Sequence, residues 1–131
     1  MKKYVTEGKG LPKWSNPISH AVVANNMCFV SGQLSVDSNG KYVNTDVLTE
    51  ATLAFKNLFA AIKNAGFKKE DIVFVDIAFN DLTDLTIVNN LFIELFPEGK
   101  RPARTIYQLE KLSFGGKVKV TCTAIKSSLS L

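Results

Sequence analysis

Apolar residues recur along this chain with two periods, and each change of period marks a new element. Residues 25–36, NNMCFVSGQLSV, carry an apolar strand that ends near Ser31-Gly32-Gln33. DSNGKY, residues 37–42, reads as a turn, with Asn39-Gly40 the strongest short hairpin signal. The period then lengthens. Leu48, Ala51, Phe55, Leu58, Ile62 and Ala65 recur every three or four residues and form one helical face. Asp46 or Thr45 can cap its start, and Gly66 stops it. Ile72 to Phe79 is a strand with apolar residues on nearly both faces, and Asn80 to Asp84 turn the chain. Leu85, Val88, Leu91, Phe92 and Leu95 mark a second helix that ends near Pro97-Glu98-Gly99. RPARTIYQLEKL is the next strand, SFGGK a loop and VKVTCTAI the last strand.

The order is strands, helix, strand, helix, strands, without repeat, low-complexity tract or linker. It predicts one domain over residues 1–131. A strand–helix–strand crossover requires a parallel pair, so the sheet is mixed. Two helices cover one face of it. IVFVDIAF would then present Ile, Phe, Val and Ala to water on the other face, and such a patch marks an interface. An oligomer with packed sheets is expected, ahead of an N-terminal segment folded across the bare face.

Composition narrows the picture. A chain 46% hydrophobic and 21% charged can fold around a core and is not a disordered one. No apolar run approaches the roughly 20 residues of a membrane span, and MKKYVTEGKGLPKW lacks the apolar stretch of a secretory signal. A cytoplasmic location follows by default. The net charge is +4, with Lys2, Lys3, Lys9 and Lys13 crowded at the N-terminus and the other lysines scattered. No aromatic–basic interleaving supports a nucleic-acid platform. Cys28 and Cys122 lie in apolar or alternating runs and read as two buried thiols. With His20 the single histidine, no Cys/His zinc spacing can be assembled. No metal and no cofactor is expected.

One residue breaks the strand pattern. Arg104 falls inside the run RPARTIY. An arginine cannot shed its charge, so a buried one needs an anion. Either a ligand supplies the anion or the chain does, through Glu110 or Glu94. Tyr107 alternates away from Arg104 and should point to the opposite face.

PISHAVVANNMCFVSGQ, NDLTDLTIVNNLFIELF, RPART and VKVTCTAI, in this order and spacing, resemble the RidA/YjgF family, also called L-PSP proteins. The resemblance runs from about residue 16 to residue 126. It implies a chorismate-mutase-like α+β fold, with two helices packed on one face of a mixed sheet, and a homotrimer with ligand clefts between subunits. It implies imine deaminase activity on small 2-imino acids such as 2-iminobutanoate and 2-iminopropanoate, without a cofactor. Arg104 would hold the carboxylate of the 2-imino or 2-oxo acid in two parallel hydrogen bonds. Asn89 and Phe92 of the second helix fall at cleft positions, Asn89 as a ligand contact or a brace and Phe92 as ligand wall or core, and Ser31 would either orient ligand or water or bond backbone as a turn hydroxyl. Ile106 would contribute its backbone.

The chain departs from the family at three places. Ile18 stands where a tyrosine is usual after the early proline, and Thr105-Ile106 where a Ser-Cys pair is usual. Thr121 stands at the position of a glutamate that handles water and proton. A threonine hydroxyl holds a water but does not carry a proton near neutral pH. The expectation is therefore a weakened deaminase, improved by Thr121→Glu. A non-catalytic small-carboxylate-binding trimer, acting as sensor or chaperone-like partner, is the alternative. The endoribonuclease activity attached to the L-PSP name ranks last, since no paired acid and base and no second histidine are present. His20 reads as a polar residue entering a strand rather than as a general base.

Overall fold

The computed structural model describes residues 1–127. Six strands and two helices follow in the order β1 (Lys2–Val5), β2 (Ala21–Ala24), β3 (Met27–Gln33), α1 (Val47–Asn64), β4 (Ile72–Phe79), α2 (Leu85–Leu95), β5 (Ala103–Gln108) and β6 (Val118–Ile125). They form one sheet of order β1-β2-β3-β6-β4-β5. β4 and β5 pair in parallel, and every other neighbouring pair is antiparallel. The mixed sheet with two crossover helices is what the alternation of periods predicts, and it is the α+β architecture that the resemblance implies.

α1 begins where its sequence caps it. Asp46 Oδ1 accepts the Thr49 amide at 2.9 Å, which satisfies one of the free N–H groups of the first turn. The helix ends at Ala65, and Gly66 follows at φ 88°. Both helices lie on one face of the sheet. Phe55 and Phe59 of α1 meet Phe92 of α2 and Phe96 beyond it in a chain of ring contacts, Phe92–Phe96 at 4.7 Å between centroids. Phe55 is wholly buried, so truncating it to alanine costs about 3–5 kcal/mol.

The strand registers sort the two faces into rows. Val5, Ala21, Val30, Cys122, Val75 and Arg104 stand side by side across all six strands. The first five are buried under the helices, and the sixth member of the row is the arginine. The adjacent row, on the other face, reads Tyr4, Val22, Phe29, Thr123, Phe74 and Ala103. There Tyr4 is 60%, Phe29 44% and Phe74 36% exposed. Within one chain this face is bare over most of its length. Only its far end is covered, where Leu34, Val36 and Leu112 pack on Ala78 and Tyr107.

The N-terminal segment does not cross the bare face. β1 extends the sheet edge beside β2, and the chain then passes to the helix side. There Leu11 joins the main core and Asn64 of α1 donates to the Lys9 carbonyl at 2.9 Å. The Asn39-Gly40 hairpin shrinks to a single bridge, Val36 to Tyr42. Gly40 sits at φ 83°, and an added Cβ would lie 2.1 Å from the Lys13 carbonyl oxygen. That approach, together with the left-handed backbone, excludes any side chain.

Candidate functional site

Arg104 leaves β5 on the helix side, at the open end of the buried row. Its Nη1 donates to Asn89 Oδ1 at 2.8 Å, and its guanidinium carbon lies 4.8 Å from the centre of the Phe92 ring. Asn89 and Phe92 are three residues apart on α2, so they share a helix face. One accepts a hydrogen bond from the guanidinium and the other places its ring face against the charge. Neither supplies an anion. Among the described residues the single ion pair within 4.0 Å is Lys117–Glu50, so neither Glu110 nor Glu94 neutralises Arg104. Burial pulls the Arg104 pKa down, yet an arginine remains charged. Around it lies a cleft of about 340 Å³ lined by Asn89, Phe92, Ile93, Arg101, Pro102 and Arg104. Arg101 is tied to the Phe96 carbonyl at 3.1 Å. Ile106 lies on the same face of β5 and packs against the main core.

The other candidates gather elsewhere. Ser31 Oγ donates to the Ser19 carbonyl at 2.6 Å, which draws β3 against the loop carrying Ile18. Ile18 is 49% exposed. Thr121 Oγ1 donates to the Val30 carbonyl, beside Ser31. The register of β6 puts Val118, Val120, Cys122 and Ala124 on the buried side and Thr121 on the bare side. The candidates that the sequence singles out thus fall into two groups, with Arg104 and Thr121 on opposite faces of the sheet. Asn89, Phe92, Arg104 and Ile106 form one group and Ser31 and Thr121 the other, with Ile18 next to the Ser19 carbonyl that Ser31 bonds.

A family model described as Endoribonuclease L-PSP matches residues 10–126. The chain belongs to the L-PSP (RidA/YjgF) family. Among its relatives, the 2-iminobutanoate/2-iminopropanoate deaminase of Bos taurus is 30% identical over 99% of this chain and 94% of its own. The chloroplastic Reactive Intermediate Deaminase A of Arabidopsis thaliana is 32% identical over 95% of this chain, which spans 66% of the plant protein's length. The YjgF protein of E. coli superposes with a TM-score of 0.86 at 28% identity, covering 95% of this chain and 98% of that one. E. coli TdcF, solved with bound serine, also gives 0.86, at 27% identity over 95% of this chain and all of its own.

Against that family background, His20 has a structural part. It is buried, with Nε2 2.9 Å from the Pro12 carbonyl and Nδ1 3.3 Å from Gln33 Nε2, under the Trp14 ring at 4.3 Å. Those partners make Nε2 the protonated nitrogen, and burial lowers its pKa. Both ring nitrogens are engaged within the chain, as for a polar residue entering a strand. Cys28 and Cys122 are free and buried, as their runs predict. No described helix is long and apolar enough to cross a membrane.

Two carboxylates escape a reading of the sequence. Glu50 in α1 is fully buried and accepts from Tyr42 OH at 2.7 Å, the Thr45 and Lys117 amides at 3.1 Å each, and Lys117 Nζ at 3.2 Å. Two of its partners, Tyr42 and Thr45, precede α1 closely, but Lys117 comes from 67 residues away, so local pattern does not reveal the cluster. Asp76 interrupts the apolar strand β4, and its Oδ2 accepts from Tyr107 OH at 2.8 Å while Oδ1 accepts from Thr105 Oγ1. Tyr107 and Thr105 thus lie on the face opposite Arg104, as strand alternation requires.

Proposed function

We propose that this protein is a cofactor-independent imine deaminase that acts on small 2-imino carboxylates of the 2-iminobutanoate and 2-iminopropanoate class. The observation that carries the reading is the state of Arg104. Its guanidinium is braced by one neutral oxygen and one ring at the wall of a cleft, with no carboxylate among the described residues to neutralise it. A planar fork of donors in that setting is complementary to a small carboxylate. The names of relatives that match almost the whole chain support the same substrate class.

The reading requires more than one copy of the chain. Arg104 and Thr121 face opposite sides of one sheet, so a single chain cannot apply both to one small molecule. A homotrimer, its bare faces turned inward, would bring the Ile18–Ser31–Thr121 half of one copy against the Arg104 half of the next. The exposed row through Tyr4, Phe29 and Phe74 supports such packing.

Thr121 favours a second reading. If the position that the family gives to a glutamate is the only place a proton carrier can stand, the trimer binds 2-oxo or 2-imino acids without turning them over. Titration calorimetry with 2-oxobutanoate tests the shared part. Binding to the wild type and its loss in Arg104→Ala, with the oligomer intact, is expected. Undiminished binding by Arg104→Ala removes the basis of both readings. Ammonia release from 2-iminobutanoate, generated in place by a threonine dehydratase, separates the deaminase from the binder.

A further inference from the structure

β4 and β6 run antiparallel, and in their register Asp76 stands directly opposite Thr121. Directly opposite residues project to the same face, with Cβ atoms about 4.5–5.5 Å apart. The same rung continues into β5 at Thr105. Asp76 is half-buried on a face whose neighbouring positions are Phe74 and Ala78 on its own strand. Aspartate is depleted in strand interiors, and an apolar surface that is to be packed away is a costly place for a charge. Among the described residues it makes no ion pair within 4.0 Å, although Lys119 lies on the same face. Thr105 and Tyr107 hold its two oxygens from one side. A carboxylate offers about four lone-pair positions, so two remain open.

We infer that Asp76 is the proton carrier of the imine hydrolysis proposed above, standing one strand away from where the family resemblance expects a glutamate. This inference rests on the deaminase reading of the site. The Thr121 hydroxyl spends its proton on the Val30 carbonyl, which leaves its oxygen free to accept from a water. A water held there lies beside the Asp76 carboxylate, on the same rung.

The chemistry balances with Asp76 alone. The water oxygen forms a bond to the iminium carbon, and the C=N π pair moves onto nitrogen. One water proton passes to Asp76, leaving a neutral carbinolamine. Asp76 returns that proton to the amine nitrogen. The C–N bond then breaks as the hydroxyl proton goes to Asp76 and the carbonyl forms. Ammonia leaves and takes the proton from Asp76 as ammonium. One iminium and one water become one 2-oxo acid and one ammonium, and the carboxylate ends as it began.

The competing explanation is that Asp76 only straps β5 to β4 through Thr105 and Tyr107. Ammonia release by the full-length chain, measured beside 2-oxobutanoate affinity and thermal unfolding, decides between them. A wild-type rate equal to the no-protein control overturns the deaminase reading and the Asp76 role together. Given an active wild type, Asp76→Asn should lower kcat by about 10²-fold with affinity for 2-oxobutanoate unchanged. Moving the carboxylate across the rung, in Asp76→Asn/Thr121→Glu, should recover at least about a tenth of the wild-type rate, since a proton carrier there is again beside the water. An Asp76→Asn variant as fast as wild type overturns the Asp76 role and leaves the deaminase standing. A loss that the double variant does not recover, with or without a fall in Tm, assigns Asp76 to the strap and overturns the inference.

Discussion

Asn89 accepts the Arg104 guanidinium at 2.8 Å through a neutral amide oxygen, in a place where a carboxylate would have closed the site to any anionic ligand. The amide orients the fork without consuming its charge. Asn89→Asp should therefore be more damaging than Asn89→Ala. The aspartate would pair with Arg104 and compete with substrate, lowering 2-oxobutanoate affinity by at least about 10-fold, as expected for a charged hydrogen bond. The alanine loses one orienting bond, worth about 1 kcal/mol or roughly 5-fold. Calorimetry on the two variants checks the order.

Arg104→Lys should bind 2-oxobutanoate at least about 10-fold more weakly than wild type, because an ammonium cannot make two parallel bonds or lie flat on the Phe92 ring. Unchanged affinity would mean that the site needs only a point charge.

The exposed row on the bare face calls for an oligomer, and the family resemblance makes it a trimer. Light scattering at micromolar concentration should return three times 14.4 kDa. Phe29→Asp puts a charge in the middle of that row and should shift the mass toward one chain while the far-ultraviolet spectrum stays native. A wild-type mass of 14.4 kDa removes the argument for shared clefts.

Glu50 sets an acid limit on stability. Burial alone would raise its pKa, but the hydrogen bonds from Tyr42, the Lys117 and Thr45 amides and the Lys117 ammonium more than offset this and hold it below the ordinary glutamate value. The unfolded chain therefore binds this proton more readily than the folded one. The stabilisation is whole above about pH 4.3 and is lost as pH falls through the lower, folded value. Urea midpoints between pH 7 and pH 3 should fall for wild type and fall less for Glu50→Gln. At neutral pH, Glu50→Ala should cost about 3 kcal/mol, since it leaves buried amides and the Lys117 ammonium without their acceptor.

The two thiols should be inert in the native protein. Burial pushes Cys28 up to about 11 and Cys122 up to about 12. Thiolate, not thiol, reacts. Labelling with a disulfide reagent at pH 8 should proceed only at the rate of opening, and become complete in denaturant.

What the sequence made legible were the elements whose signal is local. The apolar period over Leu48–Ala65, Asp46 as cap and Gly66 as stop placed α1 to within a residue or two, and the apolar run Ile72–Phe79 placed β4. The first strand was missed because Lys2, Lys3 and Tyr4 lie exposed at an edge and carry almost no burial signal. β2 lies outside the run read from residue 25: it is four residues long, and the turn that separates it from β3 is two asparagines, with Asn25 at φ 56°. Arg104, Asn89 and Phe92 were singled out together by resemblance, and the structure brings them into contact. The division of the candidate site into two faces was not legible. It depends on which residues share a rung across strands, and the Asp76–Thr121 rung joins positions 45 residues apart through a register that no local pattern encodes.

The sheet is open at both ends, and an open edge is a template for uncontrolled strand addition. The β1 end carries Lys2 and Lys3, whose mutual repulsion opposes the approach of a second β1. At the β5 end, Arg101 and Pro102 immediately precede the strand, and proline offers no amide to an incoming backbone. Neither device protects the flat face between them, where Phe29 and Phe74 are exposed. The chain is guarded against growing sideways into fibrils and left able to stack face to face, so its solubility before assembly should fall with rising salt, which screens the lysines and strengthens apolar contact.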